Sequence, residues 1–221
     1  LPNTELNCEL AYKLGRAGGY ILTKGKEKHI KVVVGRDTRV SGDMLESALI
    51  SGLMSVGCDV ITVGIIPTPA VAYLTRKYEA DCGVVISASH NPVEYNGIKF
   101  FNCEGFKLAD CIEQEIEKYI DDINLIDKNP TGADVGKKIF NHNASRDYVD
   151  YLKSHINTNF EGLKVVLDCA NGAAYRVAPA VFEELGADVV KINCEPDGNN
   201  INDNCGSTHP EGLQKKVVEV S

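Results

Sequence analysis

Short apolar runs alternate along this chain with stretches whose apolar residues recur at helical spacing. Lys31-Val32-Val33-Val34 is a β-branched run that ends at a loop. Beyond it, Leu45, Ala48, Leu49, Gly52, Leu53 and Val56 share one helical face and predict a helix. Ser41 is placed to cap its start and Gly57 to end it. Cys58 to Val63 then reads as a second strand. The same order returns later. Lys164-Val165-Val166-Leu167 leads into Asp168-Cys169-Ala170-Asn171-Gly172, a helix carries Val177, Val181, Phe182 and Leu185 to a stop at Gly186, and Ala187 to Ile192 is the next strand. Two strand–helix–strand units with matching punctuation predict two related domains, each crossing over right-handed between parallel strands.

Further elements lie between the echoes. Thr68 to Lys77 reads as a helix, Cys82 to Ile86 as a buried strand, and Gly97 to Phe101 as a strand entered through the turn signal Asn96-Gly97. Asp110 to Ile120 is amphipathic, with Ile112, Ile116 and Ile120 in line. Residues 121–144 are polar, and Ser145 to His155 reads as the helix opening a second unit. The predicted fold class is α/β: two related mixed-sheet domains with helices packed on the sheets, over residues 1–142 and 143–221. The second unit shows about two strands, fewer than a sheet usually holds, before Pro210 to Ser221 starts another helix, so it is expected to be incomplete. The start Leu1-Pro2-Asn3 lacks an initiator Met and any signal-peptide pattern, and the true start is expected upstream.

Composition narrows the function. The formal net charge is −8, from 31 acidic and 23 basic residues, which argues against nucleic acid as a partner. It leaves room for a small anion held by a local basic cluster. No apolar run is long enough to span a membrane. The eight cysteines form no Cys-x-x-Cys pair, and several sit in apolar runs. They read as reduced core thiols in a cytoplasmic chain.

The densest reactive stretch is Ser87-Ala88-Ser89-His90-Asn91-Pro92, directly after an apolar strand. In open α/β sheets ligands bind beyond the carboxyl ends of strands, and these hydroxyl, imidazole and amide groups can all meet phosphate oxygens. The loop lacks the Gly-x-Ser-x-Gly elbow of a serine hydrolase. No Gly-x-Gly-x-x-Gly follows a strand, which disfavours a dinucleotide site. The Asp- and Asn-rich loop from Asp197 to Asp203 hints at calcium but fails the EF-hand pattern at Ile201 and Thr208.

Residues 83–92, Asn96-Gly97-Ile98-Lys99-Phe100-Phe101 and Gly105-Phe106-Lys107-Leu108 together resemble the active-site segment of the α-D-phosphohexomutases. Leu14-Gly15-Arg16-Ala17-Gly18, Gly35-Arg36-Asp37-Thr38-Arg39-Val40-Ser41-Gly42, Pro67-Thr68-Pro69-Ala70 and residues 168–173 follow in family order. Residues 200–211 are most similar to the glucosamine branch. The resemblance implies related α/β domains and a phosphoserine at Ser89. It further implies transfer of that phosphoryl group to glucosamine 6-phosphate, with glucosamine 1-phosphate released by way of a 1,6-bisphosphate. The glucose- and mannose-phosphate branches stay open, as does a non-catalytic phosphosugar-binding module.

The resemblance also assigns parts. A phosphoserine carries about −1.5 to −2 charges at neutral pH, and in this family Mg2+ helps neutralise it, with the phosphate on Ser89 as one ligand. Lys99 matches the lysine that handles the sugar hydroxyl proton, with His90 near it; alone, Lys99 would read as an exposed strand residue. Asn91 belongs to the phosphate loop. Arg36 either supports that loop or pairs with Asp37. The family's opening Gly-Thr-Asp-Gly-x-Arg-Gly segment and its metal-binding Asp-Gly-Asp-x-Asp-Arg loop have no match in this sequence, so these 221 residues alone are expected to be inactive. The oligomeric state stays open, a homodimer included.

Overall fold

Val32, Val33 and Val34 lie on the central strand of a five-stranded sheet. The computed structural model describes residues 1–25 and 29–220. In chain order the first unit runs α1 (Cys8–Thr23), β1 (Lys31–Arg36), α2 (Ser41–Met54), β2 (Asp59–Ile65), α3 (Thr68–Lys77), β3 (Cys82–Ile86), β4 (Ile98–Asn102), α4 (Asp110–Asp121) and β5 (Lys138–Phe140). The second runs α5 (Ala144–Ser154), β6 (Lys164–Asp168), α6 (Val177–Glu184), β7 (Asp188–Ile192) and α7 (Glu211–Val220). The larger sheet has the order β4-β3-β1-β2-β5, with β1 parallel to both neighbours and β4 antiparallel to β3. β6 and β7 form a separate parallel pair.

Side chains on a strand alternate between faces, and the two faces of the large sheet build two cores. Val32, Val34, Val84 and Ile86 join α1, α2 and α4 in one cluster. Val33 and Val85 join α3, α5 and α6 in the other, so Tyr148, Val149, Val177 and Val181 of the second unit pack against the first unit's sheet. Burial on both faces explains why β1 and β3 read as unbroken apolar runs.

Two elements escaped the pattern reading. α1 carries Gly15, Gly18 and Gly19, residues that weaken a helical pattern. Packing explains them: a Cβ at Gly15 would collide with the Leu49 carbonyl oxygen, and one at Gly52 with that of Tyr12. The backbones of α1 and α2 therefore meet through glycine, and the Leu14–Gly18 segment is a helix contact. β5 is three exposed residues within a polar stretch, and only its pairing with β2 makes it a strand.

The predicted stops and starts divide. Gly57 and Gly186 both have left-handed backbones, and Cys58 and Ala187 donate back to the Leu53 and Phe182 carbonyls. These paired bonds end both helices in the same way, so the echo in the sequence is also an echo in the structure. Ser41, in contrast, does not cap α2. It is the first helical residue, the cap position is Val40, and the Ser41 hydroxyl accepts a hydrogen bond from Asn96 at 3.0 Å.

Candidate active site

β3 delivers its chain to the Ser-His-Asn loop at the carboxyl end of the sheet. The Ser87 amide donates to the Gly97 carbonyl at 2.9 Å, which closes the loop onto the start of β4. The Ser89 amide donates to the Ser87 hydroxyl at 3.1 Å, and the Asn91 amide to the Ala88 carbonyl at 3.2 Å. Ser89 itself is left-handed, at φ +57. That region is costly for a residue with a side chain and persists only where its surroundings hold it. Here it leaves Ser89 exposed at the loop's crest.

What holds it is buried charge. Arg39 is fully buried and paired with Asp37. One nitrogen of its guanidinium reaches the carbonyl oxygens of Ser89, at 3.3 Å, and Asn91, at 2.5 Å. The carboxylate of Asp37 also accepts from the Arg39 amide at 3.1 Å, fixing the turn between β1 and α2. A buried ion pair is tolerated only when both partners are well hydrogen-bonded, and the loop carbonyls supply part of that satisfaction. Arg36, expected either to support the loop or to pair with Asp37, does neither. It pairs with Asp43 and Glu46 on α2, and burial pushes the Glu46 carboxyl above its usual range. In the sequence Arg39 appears only within the family-order segment Gly35–Gly42; its spacing of two from Asp37 is the signal that could have paired them.

The second unit closes the other side. The Thr38 hydroxyl donates to the Asn171 carbonyl at 2.6 Å, and the Val40 amide to the Gly198 carbonyl at 2.8 Å. Ala170 and Asn171 are left-handed, and Asp168 holds their turn by accepting from the Ala170 amide, the Asn193 side chain and the Gly206 amide. Asn202, from the loop first weighed for calcium, donates to the Ser89 and Asn91 carbonyls at 3.1 and 2.9 Å. Nothing in the sequence pattern pointed to that contact, which joins residues more than a hundred positions apart.

Between the units lies a cavity of about 280 Å³ lined by Asp37, Ser87, Ser89, His90, Cys169 and Asn202, among others. Burial, with a hydrogen bond to Cys194, pushes the Cys169 thiol well above its ordinary range, which disfavours its reactive thiolate form. Lys99 lies apart. It is exposed on β4 opposite Val85 and lines a second cavity of about 600 Å³ between β4 and α4. A larger opening of about 830 Å³ sits on the second unit beside Tyr175, Arg176 and Lys191, and it contains none of the reactive loop. The strained serine thus lines the smallest of the three openings. Among the described residues no group of three His, Cys, Asp or Glu side chains could hold a metal, and no helix is long and apolar enough to cross a membrane.

A helix-flanked sheet closed by a second α/β unit is the architecture of the phosphohexomutase domains. Residues 1–127 match the family description "Phosphoglucomutase/phosphomannomutase, alpha/beta/alpha domain I", and residues 146–219 match its domain II. The chain belongs to this family. It is 74% identical to a phosphoglucosamine mutase of Clostridioides difficile and 59% identical to one of Clostridium acetobutylicum, each over 99% of the chain. The chain spans about half the length of these relatives, 49% in both. A crystal structure of a phosphoglucomutase/phosphomannomutase family protein from Burkholderia thailandensis superposes with a TM-score of 0.79 at 31% identity, covering 98% of this chain and 47% of that one.

Proposed function

We propose that the chain forms the phosphoserine-bearing part of a phosphoglucosamine mutase and that Ser89 is the residue phosphorylated. The observation that carries this is Ser89's left-handed backbone at the mouth of a cavity shared by two units, in a chain 74% identical to such a mutase. In the reaction the bond between phosphorus and the Ser89 oxygen breaks, and a bond from phosphorus to the sugar 6- or 1-hydroxyl oxygen forms. The hydroxyl proton leaves to a base. Such a transfer depends on positioning and charge neutralisation more than on covalent help. Arg39, its charge matched by the buried Asp37, contributes by holding the loop in place through the Ser89 and Asn91 carbonyls.

His90 shares the cavity with Ser89, together with Asp37 and Cys169. Lys99 keeps its proposed part as proton acceptor on the family resemblance, from its place on the neighbouring strand. Mg2+ belongs to the proposal as the counter-charge to the phosphate. The carboxylates near the loop do not fit it: Asp37 is taken by Arg39, and Asp168 by three hydrogen-bond donors. The serine phosphate would be the one ligand this chain supplies. A cytoplasmic location fits the free thiols of Cys8, Cys103, Cys111, Cys169, Cys194 and Cys205. Division near residue 142 remains part of the same reading, and a homodimer is one assembly that it allows.

Peptide-mapped mass spectrometry of the full-length enzyme, after exposure to glucosamine 1,6-bisphosphate and Mg2+, tests it. Phosphate on the Ser89 peptide that is lost on adding glucosamine 6-phosphate is the expected result, together with no turnover by Ser89→Ala. Phosphate on Ser87, or none on this loop, would remove Ser89 from the role and leave a binding module.

A further inference from the structure

The two carbonyl oxygens that flank His90 are each held twice, from opposite sides. Arg39 reaches the Ser89 and Asn91 oxygens from beneath, and Asn202 reaches the same pair from the second unit. We propose that Asn202 is a positioning residue for phosphoryl transfer: its amide locks Ser89 in the left-handed conformation that presents the hydroxyl to the cavity. The proposal rests on the reading of Ser89 as the phosphoserine.

Three features support it beyond the contact itself. First, Asn202 is anchored independently of the loop it holds. Its own backbone is left-handed at φ +58, and its amide donates to the Ala170 carbonyl at 2.9 Å. The side chain therefore comes from a fixed point, as a positioning group requires. Second, both amide hydrogens of Asn202 can be used at once, one on each carbonyl, so the nitrogen bridges the ends of the Ser89-His90-Asn91 tripeptide. Third, Ser89 has no local reason to stay strained. Its amide has one partner, the Ser87 hydroxyl, and a non-glycine residue relaxes from the left-handed region unless over-determined. Arg39 belongs to the first unit and stays with the loop wherever the second unit sits. Asn202 is the one of the two that ties the serine's geometry to the second unit.

The asymmetry between the partners makes a specific test. Replacing Asn202 with Asp keeps shape and tolerance of the left-handed backbone, but it sets a carboxylate against two carbonyl oxygens. Replacing it with Gly removes the side chain without adding backbone strain. Both variants are made in the full-length enzyme and assayed with glucosamine 1-phosphate, the 1,6-bisphosphate and Mg2+. The expected result is a kcat lower by roughly 10- to 100-fold with KM unchanged. The 31P resonance of the phosphoserine should also shift or broaden, while the thermal midpoint moves little for Asn202→Gly. Asn202→Asp should be the worse of the two, and it should lower the amount of phosphate retained on Ser89.

Wild-type protein phosphorylated on Ser89, with both variants matching its kcat and 31P signal, would overturn the clamp and leave the Ser89 assignment standing. Wild-type protein with no phosphate on Ser89 would overturn both. If Asn202→Asp fails to fold, Asn202→Gly decides alone. A fall in kcat that follows only a loss of folded protein, with an unchanged 31P resonance, reduces Asn202 to a structural residue and also overturns the proposal.

Discussion

The first unit has a core of its own, and the second does not. β1 and β3 are buried along nearly their whole length, whereas β6 and β7 are half-exposed or exposed at every position. The cluster beneath α1, α2 and α4 is built from the first unit alone. The buried apolar residues of α5 and α6 instead join a cluster laid on the first unit's sheet. The second unit is thus held as much by docking as by its own sheet. The candidate site lies along that joint, where a shift of one unit against the other is felt by Ser89.

The largest effect should come from the buried charge at the joint. Arg39→Met leaves Asp37 buried without its cation and should lower stability by about 3–5 kcal/mol, read as a fall in the urea midpoint. Adding Asp37→Asn removes the stranded charge and should recover much of the loss. If Arg39→Met cost no more than a surface substitution, the loop would not depend on the buried pair, and the first unit's advantage over the second would be apolar packing alone.

Next in size is the glycine contact in the first unit. Gly52→Ala drives a methyl group into the backbone of α1, which cannot swing aside as a side chain could. The expected cost is about 1–3 kcal/mol, with Gly15→Ala behaving alike. A paired comparison then sharpens the contrast directly. Val33→Ala removes two carbons from a fully buried position and should cost about 2 kcal/mol; Val166→Ala, on the half-exposed β6, should cost under about 1 kcal/mol. Equal costs would mean that the second sheet is packed better than its exposure indicates.

The same contrast explains what the sequence showed. β1, β3 and α3 were legible to within a residue or two because strands buried on both faces and a helix opened by two prolines leave strong local marks. The glycine stops at Gly57 and Gly186 were legible because only the left-handed backbone makes those positions special. α1 was hidden because its glycines serve contact with α2, a reason that lies 37 residues away at Gly52. At the site, the Ser89 loop stood out by its chemistry. Arg39 did not, since full burial of an arginine is a tertiary fact, and Arg36 looked equally eligible until the strand turned its side chain toward α2. Asn202 lay in a loop that the sequence marked for its Asp and Asn content, but nothing in the pattern pointed it at the Ser89 loop.

The smallest predicted effect tests whether charge at the surface makes up for the missing core. Glu184, at the end of α6, accepts from Arg146 at 2.6 Å and from Lys153 at 2.5 Å, both on α5. These hydrogen bonds, Arg146 first, hold its carboxyl down to about 2 from 4.5. A carboxyl depressed on folding adds stability above its unfolded value, and that stability is lost as pH falls through the folded one. The contribution should therefore be whole above about pH 4.5 and gone near pH 2. Because the pair is open to water, it should be modest and should shrink further in salt. Glu184→Gln should lower the urea midpoint slightly at pH 7, by less in high salt, and the two proteins should converge as pH falls toward 2. A difference that persisted at low pH would assign the loss to packing between α5 and α6. The second unit would then have the beginnings of its own core after all.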